Sequence, residues 1–249
     1  MKYLIALLLF VIIFACGNDS GLNIDNEDLA VSFVDPNLEA VVREALGMDT
    51  ATIYLSDLQG ITTLDAGDRG ITNISGIGNI ENLVNLNLER NSITNVGPLR
   101  GLSDLEGLNL GNNQVEIIDA VSSLISLQTL LLDSNQVSDL SPLAGLTGMV
   151  ELNLSANQII NINALAPLFD LEYLYLDQNQ VEDITALASL VNARLLSLNA
   201  NQIEDIAPLV NNSGLGSGDE VRLTGNPLST ESTMNHIPAL QARGVKVVY

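Results

Sequence analysis

From residue 61 onward, aliphatic and polar positions follow a fixed motif. In residues 83–99, "LVNLNLERNSITNVGPL", Leu83, Leu86, Leu88, Ile93 and Val96 hold aliphatic slots and Asn91 sits among them. Steps of 22 residues from Asn91 reach Asn113, Asn135, Asn157, Asn179 and Asn201. One step back falls on Arg69, where Leu64, Ile71 and Ile74 keep their slots. The last step, to Asn226, is three residues longer and follows the stretch "NNSGLGSGDE". A period of this length marks a repeat architecture and precedes any assignment of single elements.

Each unit reads L-x-x-L-x-L-x-x-N-x-I-x-x-I, as in "LQTLLLDSNQVSDL" and "LEYLYLDQNQVEDI". The central L-x-L has period two, which predicts a short strand with both leucines on one face. Strands that recur every 22 residues must run parallel. The return path is too short for a full helix, and Pro98, Pro142 and Pro208, seven residues after their asparagines, suit an extended or 3₁₀ segment. One coil has nothing to cover its apolar face, so coils must stack into a continuous aliphatic column, with stability roughly a sum over neighbours. The asparagines have a structural reading. Where the strand turns away, inward backbone N–H and C=O groups lack ladder partners, and a carboxamide supplies two donors and an acceptor for them. Asn91, Asn113, Asn135, Asn157, Asn179, Asn201 and Asn226 are therefore read as skeleton, not as a row of ligand contacts.

The two ends follow other patterns. Residues 4–15 are an uninterrupted apolar run after Lys2, too short to span a bilayer and of the right size for an export signal over 1–15. The acidic, polar stretch over 16–33 reads as a flexible tether. Asp35 and Pro36 then stand as N-cap and first helical residue, and Leu38, Val41, Val42, Ala45 and Leu46 recur at helical spacing up to Gly47. This predicts a helical N-terminal cap over 34–60, covering the first coil of a repeat region over 61–228. A C-terminal cap over 229–249 has Met234, Ile237 and Leu240 on a short helix and "VKVVY" as a last strand.

Composition sharpens the picture. The chain is 47% hydrophobic but only 4% aromatic, with no Trp, as expected when every inner slot is sized for Leu, Ile or Val. The 22-residue unit, the stretch "VDPNLEAVVREALGM", and "GNPLS" with "IPALQARGVKVVY" resemble the leucine-rich repeats and flanks of bacterial internalin-like surface proteins and lipoproteins. The resemblance covers residues 34–249, with Arg69 and the longer step to Asn226 as departures. It implies an α/β solenoid: a right-handed leucine-rich repeat horseshoe with a parallel β-sheet on its concave face and short 3₁₀ or extended convex segments. It also implies a binding scaffold without catalytic activity. "IFAC" before Gly17 resembles a bacterial lipobox, which implies lipidation of Cys16 with acyl chains such as palmitate. Ordinary cleavage and an uncleaved anchor are the alternatives. Cys16 is the only thiol in the chain.

Catalytic chemistry finds little support. The single histidine, His236, has no assignable partner, and the counts exclude a metal site built on His and Cys. "GLGSG" lacks the Lys-Ser/Thr pair of a phosphate loop, and no EF-hand loop occurs. No metal or cofactor is expected. The formal net charge is −21, and −22 once Lys2 leaves with the signal, so nucleic acid and anionic headgroups are poor ligands. A protein partner with a basic surface is compatible. The strand slots six and four residues before each Asn face the concave surface, where Tyr173, Tyr175 and Leu195 should form one patch, with Leu131 two coils away and Asp133, Glu151 and Asp177 bordering it. The expected function is a lipid-anchored, monomeric protein-binding module of the bacterial cell envelope, tied to the membrane by its N-terminal lipid. A structural spacer without a specific ligand, a glycan-binding module and a hydrolase are the alternatives.

Overall fold

A computed structural model describes residues 28–249. The export segment 1–15, Cys16 and the tether up to residue 27 lie outside the described residues. Residues 30–33, expected to belong to the flexible tether over 16–33, instead join the fold. Ala30–Val31 (β1) pairs antiparallel with Ile53–Tyr54 (β2), and Phe33 is buried. The period-two burial of Val31 and Phe33 ties this segment to the fold.

Helix α1, Pro36–Leu46, begins where its cap predicts: one Asp35 oxygen accepts from Asn37 N at 2.9 Å. The other Asp35 oxygen accepts from Thr72 N and Asn73 N, at 2.8 and 3.1 Å, so one carboxylate ties the helix start to the first coil. Leu38, Val41 and Val42 are buried, whereas Ala45 is exposed and Leu46 half-buried. The chain leaves α1 at Gly47 in the left-handed region. A short helix α2, Leu55–Leu58, follows β2.

The remaining strands, Thr63–Asp65 (β3), Asn85–Asn87 (β4), Gly107–Asn109 (β5), Thr129–Leu131 (β6), Glu151–Asn153 (β7), Tyr173–Tyr175 (β8), Leu195–Ser197 (β9), Glu220–Arg222 (β10) and Lys246–Val248 (β11), form one parallel sheet. Every strand neighbours the next in sequence, the topology of a solenoid. Leu64, Leu86, Leu108, Leu130, Leu152, Leu174, Leu196 and Val221 are in lateral register, all buried in one row. The returns are 3₁₀ turns, such as Gly97–Leu99, Ser141–Leu143 and Asn163–Leu165, as the 22-residue interval predicts. The return after β9 holds a short α-helix instead (α3, Ala207–Asn211), at the same offset from its asparagine as the Thr185–Ser189 turn of the coil before.

The three extra residues do not disturb the sheet, since β10 keeps its register on β9. They are taken up in the loop after α3, where buried Asn212 donates to Leu187 O and Leu190 O at 2.8 and 2.9 Å. Arg243 donates to Val210 O at 2.8 Å and to the carbonyls of Asn212 and Leu215, fastening that loop to the terminal cap. The cap itself is a wide helical turn, Ser232–His236, running into α4, Ile237–Ala242. Ile237 and Leu240 are buried, but Met234 is 69% exposed and takes no part in the core, because the wider turn rotates it outward.

Candidate functional site

The asparagine slot has one geometry along the chain. Asn135 Nδ2 donates to Leu132 O in its own coil at 3.1 Å and to Leu110 O in the preceding coil at 2.9 Å. Its Oδ1 accepts from Val115 N at 2.9 Å. Asn91, Asn113, Asn157, Asn179, Asn201 and Asn226 repeat the pattern. Arg69 occupies the slot where no earlier coil needs bridging, and its guanidinium reaches Glu44 of α1 at 3.1 Å instead. Just before the slot, Asp68, Arg90, Asn112, Ser134, Ala156, Gln178 and Ala200 are all left-handed, with φ from 54 to 57°.

A second ladder lies four residues after the first. Asn73, Asn95, Asp139, Asn161, Asp183 and Asp205 each accept, at 2.8 Å, the N–H two residues on and so cap the convex turn. Ile117 breaks the column and is 66% exposed. The Ser141 N–H and hydroxyl hold the Asp139 carboxyl below its usual range, and the Thr185 hydroxyl and N–H do the same for Asp183.

With the leucines facing inward, the alternate side chains of the sheet form the concave surface. Tyr173 lies between Glu151 and Leu195, and Tyr175 between Asn153 and Ser197. Tyr173, Tyr175, Leu195 and Glu151 are half-buried, so part of each ring and chain is supported by its neighbours. Burial and then the Glu151 charge raise the Tyr175 pKa above its ordinary value. Asp177 is half-buried beside the tyrosines: its oxygens accept from Ser197 Oγ at 2.9 and 2.8 Å and from Asn199 N at 2.7 Å. Leu131 is separated from Tyr175 by Asn153 and belongs to the other half of the face. Asp133 accepts from Asn112 and Asn153 side chains at 3.2 and 3.3 Å, and burial followed by the Glu89 charge raises its pKa.

Two residues of this face follow the same six- and four-back rule counted from Asn226, yet they escape a search that starts from the 22-residue step. Glu220 pairs with Leu195, and Arg222 with Ser197. Arg222 Nε lies 2.6 Å from Glu220, which also binds Lys246 at 2.9 Å. In the N-terminal half the surface is polar and hollow. A cavity of about 570 Å³ opens over β3–β6, lined by the amides of Asn85, Asn87 and Asn109, the hydroxyls of Thr63 and Thr129, and Leu131. Among the described residues no group of three or more His, Cys, Asp or Glu side chains is placed to hold a metal ion. Among them, too, no helix is long and apolar enough to cross a membrane.

Comparison with known proteins bears on the repeats first. Leucine-rich repeat models match residues 81–137 and, as two copies, 125–167. Internalin H of Listeria monocytogenes is 42% identical over 66 residues, a match spanning 26% of this chain and 12% of that protein. A leucine-rich repeat protein of Leptospira interrogans shares the fold at TM-score 0.55 and 20% identity, over 78% of this chain and 62% of that one. The crystal structure of internalin C2 from Listeria monocytogenes superposes at TM-score 0.79 with 37% identity, over 87% of this chain and 93% of that one. At that identity and coverage, and with its leucine-rich repeats matched, this chain belongs to the internalin family of leucine-rich repeat proteins.

Proposed function

We propose that the chain is a protein-binding module of the bacterial cell envelope, held to the membrane by a lipid on Cys16, and that it engages its partner through the concave face. The observation that carries this reading is the grouping of Tyr173, Tyr175 and Leu195. They are in lateral register and half-buried, on the only face of β8 and β9 not committed to the core. Partly supported aromatics lose little side-chain entropy on binding and are the usual anchors of an interface. Glu151 beside them and the net charge of −21 favour a partner with a basic surface. Asp177 borders the patch, held in place by Ser197 of the next coil, and Asp133 and Leu131 lie towards the N-terminal half of the same face. The domain acts as a monomer, with α1 packed against its first coil.

Proximity labelling from the intact surface protein identifies the partner, and titration then tests the site. Tyr173→Ala with Tyr175→Ala should weaken binding at least about tenfold, since each anchor contributes on the order of 1–2 kcal/mol. The melting temperature should stay nearly unchanged. Leu174→Ala, between them but fully buried, should instead cost roughly 2–5 kcal/mol of stability. Undiminished affinity of the double variant for the labelled partner removes the assignment. Stacking of a glycan on the tyrosines would show as binding to purified envelope polysaccharide in place of protein.

A further inference from the structure

The hollow in the N-terminal half of the concave face lies where one strand lacks a side chain. In the column six residues before each asparagine, Gly107 is flanked by Asn85 and Thr129 and has no side chain. The column of side chains is therefore interrupted at that point, and the cavity of about 570 Å³ lies within the range of specific ligand pockets. Asn85 leans across the gap, its amide oxygen occupying the space a Cβ on Gly107 would take. Asn85 is exposed and can swing aside.

The lining selects the chemistry. Asp65 and Glu106 supply carboxylates, and the other polar groups are neutral amides and hydroxyls; no basic residue lines the cavity. Across the neighbouring turn column Glu89 and Asp133 add two further acids, close enough for one to raise the other's pKa. Anionic ligands are thus repelled. No aromatic ring lines the cavity, so a sugar has no platform to stack on. Tyr173 stands three strands away in the same column, about 14 Å at the usual strand spacing. A standard interface of roughly 800 Å² per partner spans both places.

We propose that this notch receives a projecting loop of the protein partner led by a lysine or arginine, and that Gly107 sets which partners are accepted. The inference rests on the concave face being the binding surface, as proposed above, but makes a separate demand on it. The tyrosines hold any partner that reaches them, whereas the notch admits only one with a basic, narrow protrusion at the matching distance.

The test uses the full chain and a phage library of short disulfide-closed random loops, with envelope monosaccharides as a second set of probes. Selected loops should share a lysine or arginine at the apex, and their affinity should fall with rising salt. Gly107→Gln fills the notch and should reduce their binding at least about tenfold. Thr129→Arg, which places a cation at the same spot from the next strand, should do so as well. Unchanged melting temperatures show that both variants fold. Tyr173→Ala with Tyr175→Ala should leave the short loops bound, because they do not reach that far. Selection of loops without a basic apex, full binding to both filled variants, no selectable loop at all, or shifts of the Gly107 amide by a neutral sugar alone would each overturn the proposal. None of these results touches the tyrosine patch, whose own failure is read from the labelled partner.

Discussion

Ala156 and Ala200 adopt φ of 54°, a conformation that costs a residue with a Cβ roughly 1–2 kcal/mol. It is held because the Ala156 N–H reaches Asp177 O at 2.7 Å and the Ala200 N–H reaches Thr224 O at 2.8 Å, each in the next coil. Gly225 occupies the same slot before Asn226 without that cost. Glycine loses more entropy on folding than alanine, which offsets part of the gain. Ala156→Gly and Ala200→Gly should therefore each stabilise the domain by a net ~0.5 kcal/mol. Urea melts measure this, and a lowered midpoint in both variants would contradict the strain argument. At this scale the sequence is unevenly legible. The asparagine slot stands out because few side chains both donate and accept at that length. The slot before it does not, since Asp68, Arg90, Ser134 and Gln178 share no chemistry and the neighbouring coil imposes their backbone. Gly107 is legible only as an absence.

Asp35 shows what an element needs in order to sit on the end of a solenoid. It caps α1 and the first coil together, so Asp35→Asn keeps part of the geometry but loses the charge. Burial raises its pKa, but hydrogen bonds from the Thr72, Asn37 and Asn73 backbone outweigh this and leave it below the usual carboxylate value. A lowered folded pKa contributes stability that is present above the unfolded value, near ~4, and is lost as pH falls through the folded one. Asp133 has the opposite sign, because burial raises its pKa. Its contribution is present below the unfolded value and lost as pH rises through the folded one. Melting temperatures from neutral to acid pH should separate the two. Asp35→Asn should be less stable than the parent at pH 7 and converge with it in acid. Asp133→Asn should equal or exceed the parent at pH 7 and lose that advantage in acid. The same slope for both variants would show that neither carboxyl carries the dependence. The N-cap was legible because Asp-Pro precedes a helical apolar spacing. The Asx ladder on the convex side was not, since Asn and Asp alternate in it and Ile117 interrupts it.

For the whole molecule the controlling quantity is the interval itself. The interval is legible because a buried slot between two coils admits only an apolar side chain, and that constraint recurs at every turn. What the interval carries on its outer face is free to vary, so the notch and the Glu220–Arg222–Lys246 cluster needed strand register to be seen. Glu220 and Arg222 also lie within the longer step to Asn226, where counting by 22 misplaces them. This separation between constrained spine and free face leads to a test. Removing residues 136–157 deletes one full coil and joins Asn135 to Gln158 in the same frame. Thr129 then neighbours Tyr173, and the distance from Gly107 to Tyr173 falls from three strand spacings to two, about 10 Å. Because each coil contacts only its neighbours, the shortened domain should still unfold in one cooperative transition, at a somewhat lower temperature. Removing residues 136–156 instead leaves one extra residue beside the Asn135 slot; the later strands can keep their register, as they do across the longer step to Asn226, but the turn that the asparagine bridges is displaced and the melting temperature should fall further. The in-frame deletion should retain binding of short basic loops at the notch but lose the affinity of a partner that spans notch and tyrosines, because a rigid partner cannot follow a shift of one strand. Circular-dichroism melts and titration on the two deletions decide the matter: equal stability of both would deny that the 22-residue interval specifies the stack, and full partner affinity of the in-frame deletion would deny that spacing along the sheet is what the partner reads.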